Sequence, residues 1–197
     1  FGTVASDPTA WRVIDRVDTE HLGRLREVRA QARARAWAAG AGPDLTKELA
    51  IDIDATITLS HSEKENAAAT WKKTFGFHPL MAYLDRPDLS GGEALAGMLR
   101  KGNAGSNTAP DHQQVLKLAL AALPEQARPR PGEPDSPKVL IRTDSAGATH
   151  AFAATIREAG CGFSMGFSVD GQVQTAVLAV PETAWVKAHN IDGEDRD

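Results

Sequence analysis

Three aspartates have the type and spacing to do chemistry. Asp52 and Asp54 sit two residues apart in the run ELAIDIDATITL (residues 48–59), and Asp144 follows the apolar run VLIRT (residues 139–143). Acids are depleted from β-strands, so two of them among isoleucines on one face need water or a cation. Asp144 stands before a Ser-Ala-Gly turn, at the carboxyl end of a short apolar stretch, where open α/β sheets line their ligand sites. Carboxylates from two neighbouring strands would form a hard oxygen site suited to Mg²⁺ or Mn²⁺. Two metals so held can activate a water or hydroxyl and stabilise the leaving oxygen of a phosphodiester. The plainer role of Asp144 is a turn former or helix cap.

These acids need strands to carry them. Leu49, Ile51, Ile53, Ala55 and Ile57 alternate with Ala50, Asp52, Asp54 and Thr56, which predicts a strand over 48–59 with both acids on its polar face. Residues 60–70 are polar and read as a turn or excursion. Residues 79–84 (PLMAYL) predict a second strand and 91–100 a third; 102–110 is a loop. Residues 111–123 predict a helix with Val115, Leu116, Ala119, Leu120 and Leu123 on its apolar side. Five prolines in 124–137 mark a surface connection, then come a strand over 139–143, a helix over 149–159 stopped by Gly160, and a strand over 162–169. Helices are expected over 173–179 and 182–189. Upstream, Asp7-Pro8 opens a helix. A second helix over 19–39 places Leu22, Leu25, Val28 and Ala32 at helical spacing and stops at Gly40. Helical leader, three strands, helix, strand, helix, strand predicts an α/β fold with a mixed sheet flanked by helices.

Composition sets bounds. The 197 residues are 42% hydrophobic and 24% charged, ordinary for a folded chain with a real core. A single cysteine, Cys161, excludes an internal disulfide and a cysteine-based zinc cluster, and fits a reducing, cytoplasmic setting. No apolar run approaches the roughly 20 residues that span a membrane. The net charge is −4, unevenly spread. Residues 12–35 hold seven arginines against four acids, a local +3; residues 182–197 hold five acids against Lys187 and Arg196, a local −3. A basic arm and an acidic tail are compatible with a DNA-facing surface between them. The first residue is Phe1 rather than Met, so the native start is expected to lie upstream.

IDIDAT (residues 51–56), WKKTFGFHPLMAYLD (71–85), LRKGNAGSN (99–107) and VLIRTDSAG (139–147) together resemble the DDE transposases of bacterial insertion sequences, over about residues 1–180. The resemblance implies an RNase H-like catalytic core over residues 44–170, after a helical leader over 1–43 that ends a DNA-binding region. Residues 171–197 would begin an insertion subdomain. It also implies Mg²⁺- or Mn²⁺-dependent phosphodiester hydrolysis and strand transfer at insertion-sequence ends. The implied partners are double-stranded DNA, both transposon ends and target, and a second copy in a synaptic complex; the implied location is the nucleoid. Carried over by position, the catalytic and metal-binding acids fall on Asp54 and Asp144. The family's third carboxylate is a Glu on a later helix within a Tyr-Arg-Glu-Lys signature. The only tyrosine here is Tyr83, so that signature is absent, and this chain alone is expected to bind metal weakly and not to transpose.

Two rival readings remain open. IDIDATIT also fits the Asp-x-Asp-x-Thr motif of haloacid-dehalogenase-type phosphatases, with Asp52 as nucleophile, Asp54 as general acid/base and Thr56 in support. Such enzymes also need a later Lys and paired acids, and after Asp144 no buried strand leads into paired acids; Asp192-Gly193-Glu194-Asp195 sits in a polar tail. The other rival is an inactive remnant that only binds DNA. For DNA contact the candidates are Arg100, Lys101 and Asn103, assisted by Asn107, and Lys72 and Lys73; such contacts position a duplex without reading bases. Trp11, Trp37, Trp71 and Trp185 read as packing residues. The scattered histidines, His112 among them, read as surface or capping residues.

Overall fold

A computed structural model describes residues 4–105, 108–190 and 192–196. The chain divides into two units, Phe1–Gly166 and Phe167–Asp197.

The first unit is built on a five-stranded sheet. Its strands are β1 (Leu49–Ala55), β5 (Leu80–Leu84), β6 (Glu93–Met98), β7 (Val139–Thr143) and β8 (Gly162–Met165), in the order β6-β5-β1-β7-β8. The pairs β1–β5 and β5–β6 are antiparallel, whereas β1–β7 and β7–β8 are parallel. Three antiparallel strands, then helix α3 (Ala109–Ala122), β7, helix α4 (His150–Glu158) and β8, make the RNase H-like order expected above. Alternation decides which face is buried. Leu49, Ile51 and Ile53 of β1 are buried and join Val115, Leu116 and Ala119 of α3, Ile141 of β7, and Phe152 and Ile156 of α4 in one core. Each of these side chains larger than alanine contributes about 1.5–3 kcal/mol when fully removed from water. The helices therefore claim the isoleucine face and leave the aspartate face open.

The strand predicted over 48–59 is shorter in the sheet than its alternation suggests. β1 ends at Ala55, and Thr58–Leu59 (β2) pairs instead with β4 (Phe75–Phe77) in a second sheet of order β2-β4-β3, with β3 at Ala68–Ala69. Gly76, at φ 154°, lets β4 run against β2: a Cβ there would lie 2.1 Å from the Thr58 carbonyl oxygen.

Upstream lie α1 (Asp7–Asp15), with Ser6 rather than Asp7 at the N-cap position and no side-chain capping bond, and α2 (Thr19–Ala36), followed by a wider turn over Trp37–Ala41. The expected apolar stripe of α2 is not its buried side. Leu22, Leu25 and Val28 are largely exposed, while Arg33 and Trp37, one turn apart, are buried. A shared carboxylate explains the inversion. Glu93 accepts from Arg33 Nε at 2.5 Å and from Trp37 Nε1 at 3.2 Å, and Arg33 also donates to the carbonyls of Ala94 and Ala122. Arg86 completes the group, donating to Glu93, to Asp88 and to the Ala41 carbonyl.

His112 also departs from expectation. It is buried against the Phe152 ring, centroids 5.2 Å apart, and its Nδ1 donates to the Thr108 carbonyl. Of the four tryptophans only Trp37 is buried; Trp11, Trp71 and Trp185 are more than half exposed.

The second unit contains α5 (Gly171–Leu178), capped by Asp170, whose Oδ1 accepts from the Gln172 and Val173 amides. The helix expected over 182–189 is a single 3₁₀ turn, Glu182–Ala184, after which His189 bridges to Asp195. That turn has no buried residue, and a short helix without a packed face is marginal in water.

Candidate active site

Asp54 and Asp144 end neighbouring parallel strands. The β1–β7 register pairs Leu49 with Val139 and runs through Asp52 with Arg142, a constant offset of 90. Asp54 lies two residues beyond that last pair on β1, and Asp144 follows the last residue of β7. In a parallel pair, residues level with one another face the same side, so Asp52 and Arg142 share the face opposite the core, and Asp54, two residues on from Asp52, lies on that face too. All four line one open cleft of about 680 Å³, with Tyr83 and Ser164.

Local backbone bonds hold each carboxylate. Asp54 Oδ1 accepts from the Ala55 amide at 2.7 Å. Asp144 Oδ1 accepts from the Ala146 amide at 2.8 Å, and its carbonyl accepts from Gly147 at 3.2 Å. The plainer role of Asp144, a turn former, is thus met by one oxygen; Oδ2 of each residue makes no hydrogen bond among the described residues. The turn depends on Gly147, where a Cβ would sit 2.3 Å from Thr143 Oγ1. Glycine lets the turn fold back over Thr143 and leads to Thr149, whose hydroxyl caps α4 by accepting from Phe152. Both carboxylates are exposed. Two exposed oxygen donors suit a hard divalent cation, and the pair fits part of such a site. Among the described residues no group of three or more His, Cys, Asp or Glu could hold a metal.

Asp52 is engaged otherwise. Arg142 Nε donates to its Oδ1 and Nη2 to its Oδ2, both at 2.6 Å, a planar two-point clamp. Nη2 also donates to Asp85 Oδ2 at 2.8 Å, just past the end of β5. The hydrogen bond to Asp52, more than that to Asp85, raises the already high pKa of the guanidinium. The cation that Asp52 required is thus Arg142, which neither composition nor periodicity revealed; the offset of 90 shared by Asp52/Arg142 and Asp54/Asp144 was the available signal. With both oxygens held, Asp52 is not presented as a phosphatase nucleophile.

The DNA-contact candidates lie elsewhere. Lys72 and Lys73 occupy the exposed β3–β4 turn, pinned by Thr70 and Thr74, and Lys72 Nζ lies 5.1 Å from the centroid of the Trp71 ring. Lys101 and Asn103 are exposed on a loop joined to this small sheet, since Phe77 bridges to Lys101 and Gly102 is wedged against the Ala68 and Gly76 carbonyls. Arg100 requires correction: it is buried, donates to the carbonyls of His78 and Gly105 and to Asp111, and holds the loop from within. A guanidinium so enclosed does not reach phosphate. Asn107 lies outside the described residues.

Among solved structures the chain is similar to the catalytic domain of Mos1 mariner transposase, at 15% identity and a TM-score of 0.37, covering 75% of this chain and 61% of that one. It is also similar to piggyBac transposase in a synaptic complex with hairpin DNA, at 12% identity and a TM-score of 0.44, covering 84% of this chain and 34% of that one. A third is the Mos1 mariner paired-end complex with Mn, at 12% identity and a TM-score of 0.35, covering 82% and 54%. The chain thus spans less than two thirds of each. No curated protein matches it. The family model described as transposase DDE domain, group 1, matches residues 1–195, and the chain therefore belongs to the DDE transposase family.

Proposed function

We propose that Asp54 and Asp144 are two of the three catalytic carboxylates of an insertion-sequence transposase, which hydrolyses and transfers DNA strands at the element's ends with Mg²⁺ or Mn²⁺. The observation that carries this reading is that the two acids lie at the carboxyl ends of adjacent parallel strands and line one cleft. When bound, the cation supplies an activated water or hydroxyl and charge for the leaving oxygen. Asp54 and Asp144 contribute oxygens whose orientation is set by the Ala55 and Ala146 amides. The Asp52–Arg142 pair forms part of the same wall with little net charge.

The third carboxylate, a Glu on a later helix, is part of the same proposal, as are residues 171–197 as the start of an inserted subdomain and a second copy in the synaptic complex. Double-stranded DNA is the proposed partner, with Lys72, Lys73, Lys101 and Asn103 contacting its backbone. No described helix is long and apolar enough to cross a membrane.

The test is Mg²⁺-dependent nicking of end-sequence DNA by the full-length protein. Asp54→Ala and Asp144→Ala should each lower the nicking rate on the order of 10⁴-fold or more, as removal of one member of a catalytic set does. Nicking equal to the unmodified protein would overturn the assignment.

A further inference from the structure

The cleft holds a third carboxylate that this reading does not use. Asp52 lies two residues from Asp54 on the same face of β1, and both line the same cavity. Successive same-face residues are about 7 Å apart along a strand, and as the side chains stand the three aspartates do not form a group that could hold a metal. Asp52 is turned to another partner. Register sets Arg142 beside it, and the guanidinium occupies both of its oxygens. The same Nη2 reaches Asp85, so one side chain of β7 ties down β1 and the end of β5. The clamp is not sealed in: the side chains of Arg142, Asp52 and Asp85 are 40%, 43% and 45% exposed. Its partners are therefore within reach of solutes.

On the basis of the proposed function, we infer that Arg142 is a positioning residue that withholds Asp52 from the divalent cation and so confines the ligands supplied by β1 and β7 to Asp54 and Asp144. Removing the guanidinium frees a carboxylate at the edge of the site. The freed Asp52 then joins the donor set, and the cation is held more tightly and in a different coordination.

The experiment is Mn²⁺ titration of the 197-residue chain, followed by the electron paramagnetic resonance signal of free Mn²⁺, with folding checked by circular dichroism. Arg142→Gln should tighten Mn²⁺ binding about tenfold, the scale on which groups beside metal ligands tune affinity. Adding Asp52→Asn should abolish that gain. Adding Asp85→Asn instead removes the same formal charge from the other partner of Arg142 and should leave the gain in place. No tightening in Arg142→Gln overturns the inference. A gain that survives Asp52→Asn overturns it too, as does one removed equally by Asp85→Asn, since charge alone would then explain it. If Arg142→Gln does not fold, Arg142→Lys keeps the charge but loses the two-point clamp and enters the same comparison. Failure of the underlying reading looks different: Asp54→Asn and Asp144→Asn would then leave Mn²⁺ binding unchanged in every background.

Discussion

At the scale of single residues, the site is a matter of which carboxylate oxygens are already taken. Asp54 and Asp144 each use one on a neighbouring amide, and Asp52 uses both on Arg142. The residue that sets Asp144 in place is not charged. Gly147→Val would drive a side chain into Thr143, whose Oγ1 is 2.3 Å from the Cβ position. The expected result is loss of about 1–3 kcal/mol of stability from overpacking, with weakened Mn²⁺ binding because the Asp144 turn must move. Urea unfolding and metal titration would check the two parts separately; a variant that keeps both unchanged would contradict the packing argument. The sequence exposed the acids at this scale, because isoleucine flanks made them conspicuous. It hid their partner, because a lone arginine at the end of an apolar strand looks like any exposed terminus until the strands are paired.

At the scale of elements, the sheet was legible and α2 was not. Alternation in β1 and the apolar spacing of α3 report burial directly, and both are buried as the pattern predicts. In α2 the spacing of Leu22, Leu25 and Val28 misleads, since a buried ion pair and not an apolar stripe faces the sheet and α3. Periodicity scores arginine as outward, and nothing local marks Glu93, 60 residues away, as its receiver. Arg33→Ala should therefore be costly. It leaves Glu93 with fewer donors in a nearly closed setting and the Ala94 and Ala122 carbonyls without the guanidinium. Breaking one member of a buried pair costs about 3–5 kcal/mol, and a fall of that scale in the unfolding free energy from urea titration is the expected measurement. Val28→Ala on the exposed side should change stability by no more than about 0.5 kcal/mol.

At the scale of the whole molecule, charge and acid response come into view. The Arg86 guanidinium holds the Asp88 carboxyl below its ordinary value of 3.8, chiefly by hydrogen bonding; Asp44 and Asp18 are lowered too, by bonds from Thr46 and from His21. A carboxylate depressed on folding stabilises above its unfolded pKa, and that stability is lost as pH falls through the lower, folded value. The acid limb thus begins near pH 3.8 and extends downward. Asp88→Asn should lower Tm at neutral pH, and its deficit should shrink below pH 3.8; a deficit constant down to acid denaturation would refute the linkage. On the proposed reading, DNA affinity should fall with salt through the lysines of the small sheet. Lys72→Ala with Lys73→Ala should reduce the slope of log K against log salt by about 0.9 for each phosphate no longer neutralised. An unchanged slope would place DNA elsewhere on the molecule.

The offset of 90 between β1 and β7 has a consequence in time. A chain made from its N-terminus releases Asp54 long before Asp144 exists, because 90 residues separate the two halves of the register. At ordinary synthesis rates that interval is roughly 5–20 s. During it β1 can pair with β5 but not with β7, so the first acid waits in a sheet that is half built. The two carboxylates become neighbours only when the parallel pair closes, a late step that the entropy of loop closure opposes. A nascent chain stalled anywhere in that interval has the first acid and no second one beside it.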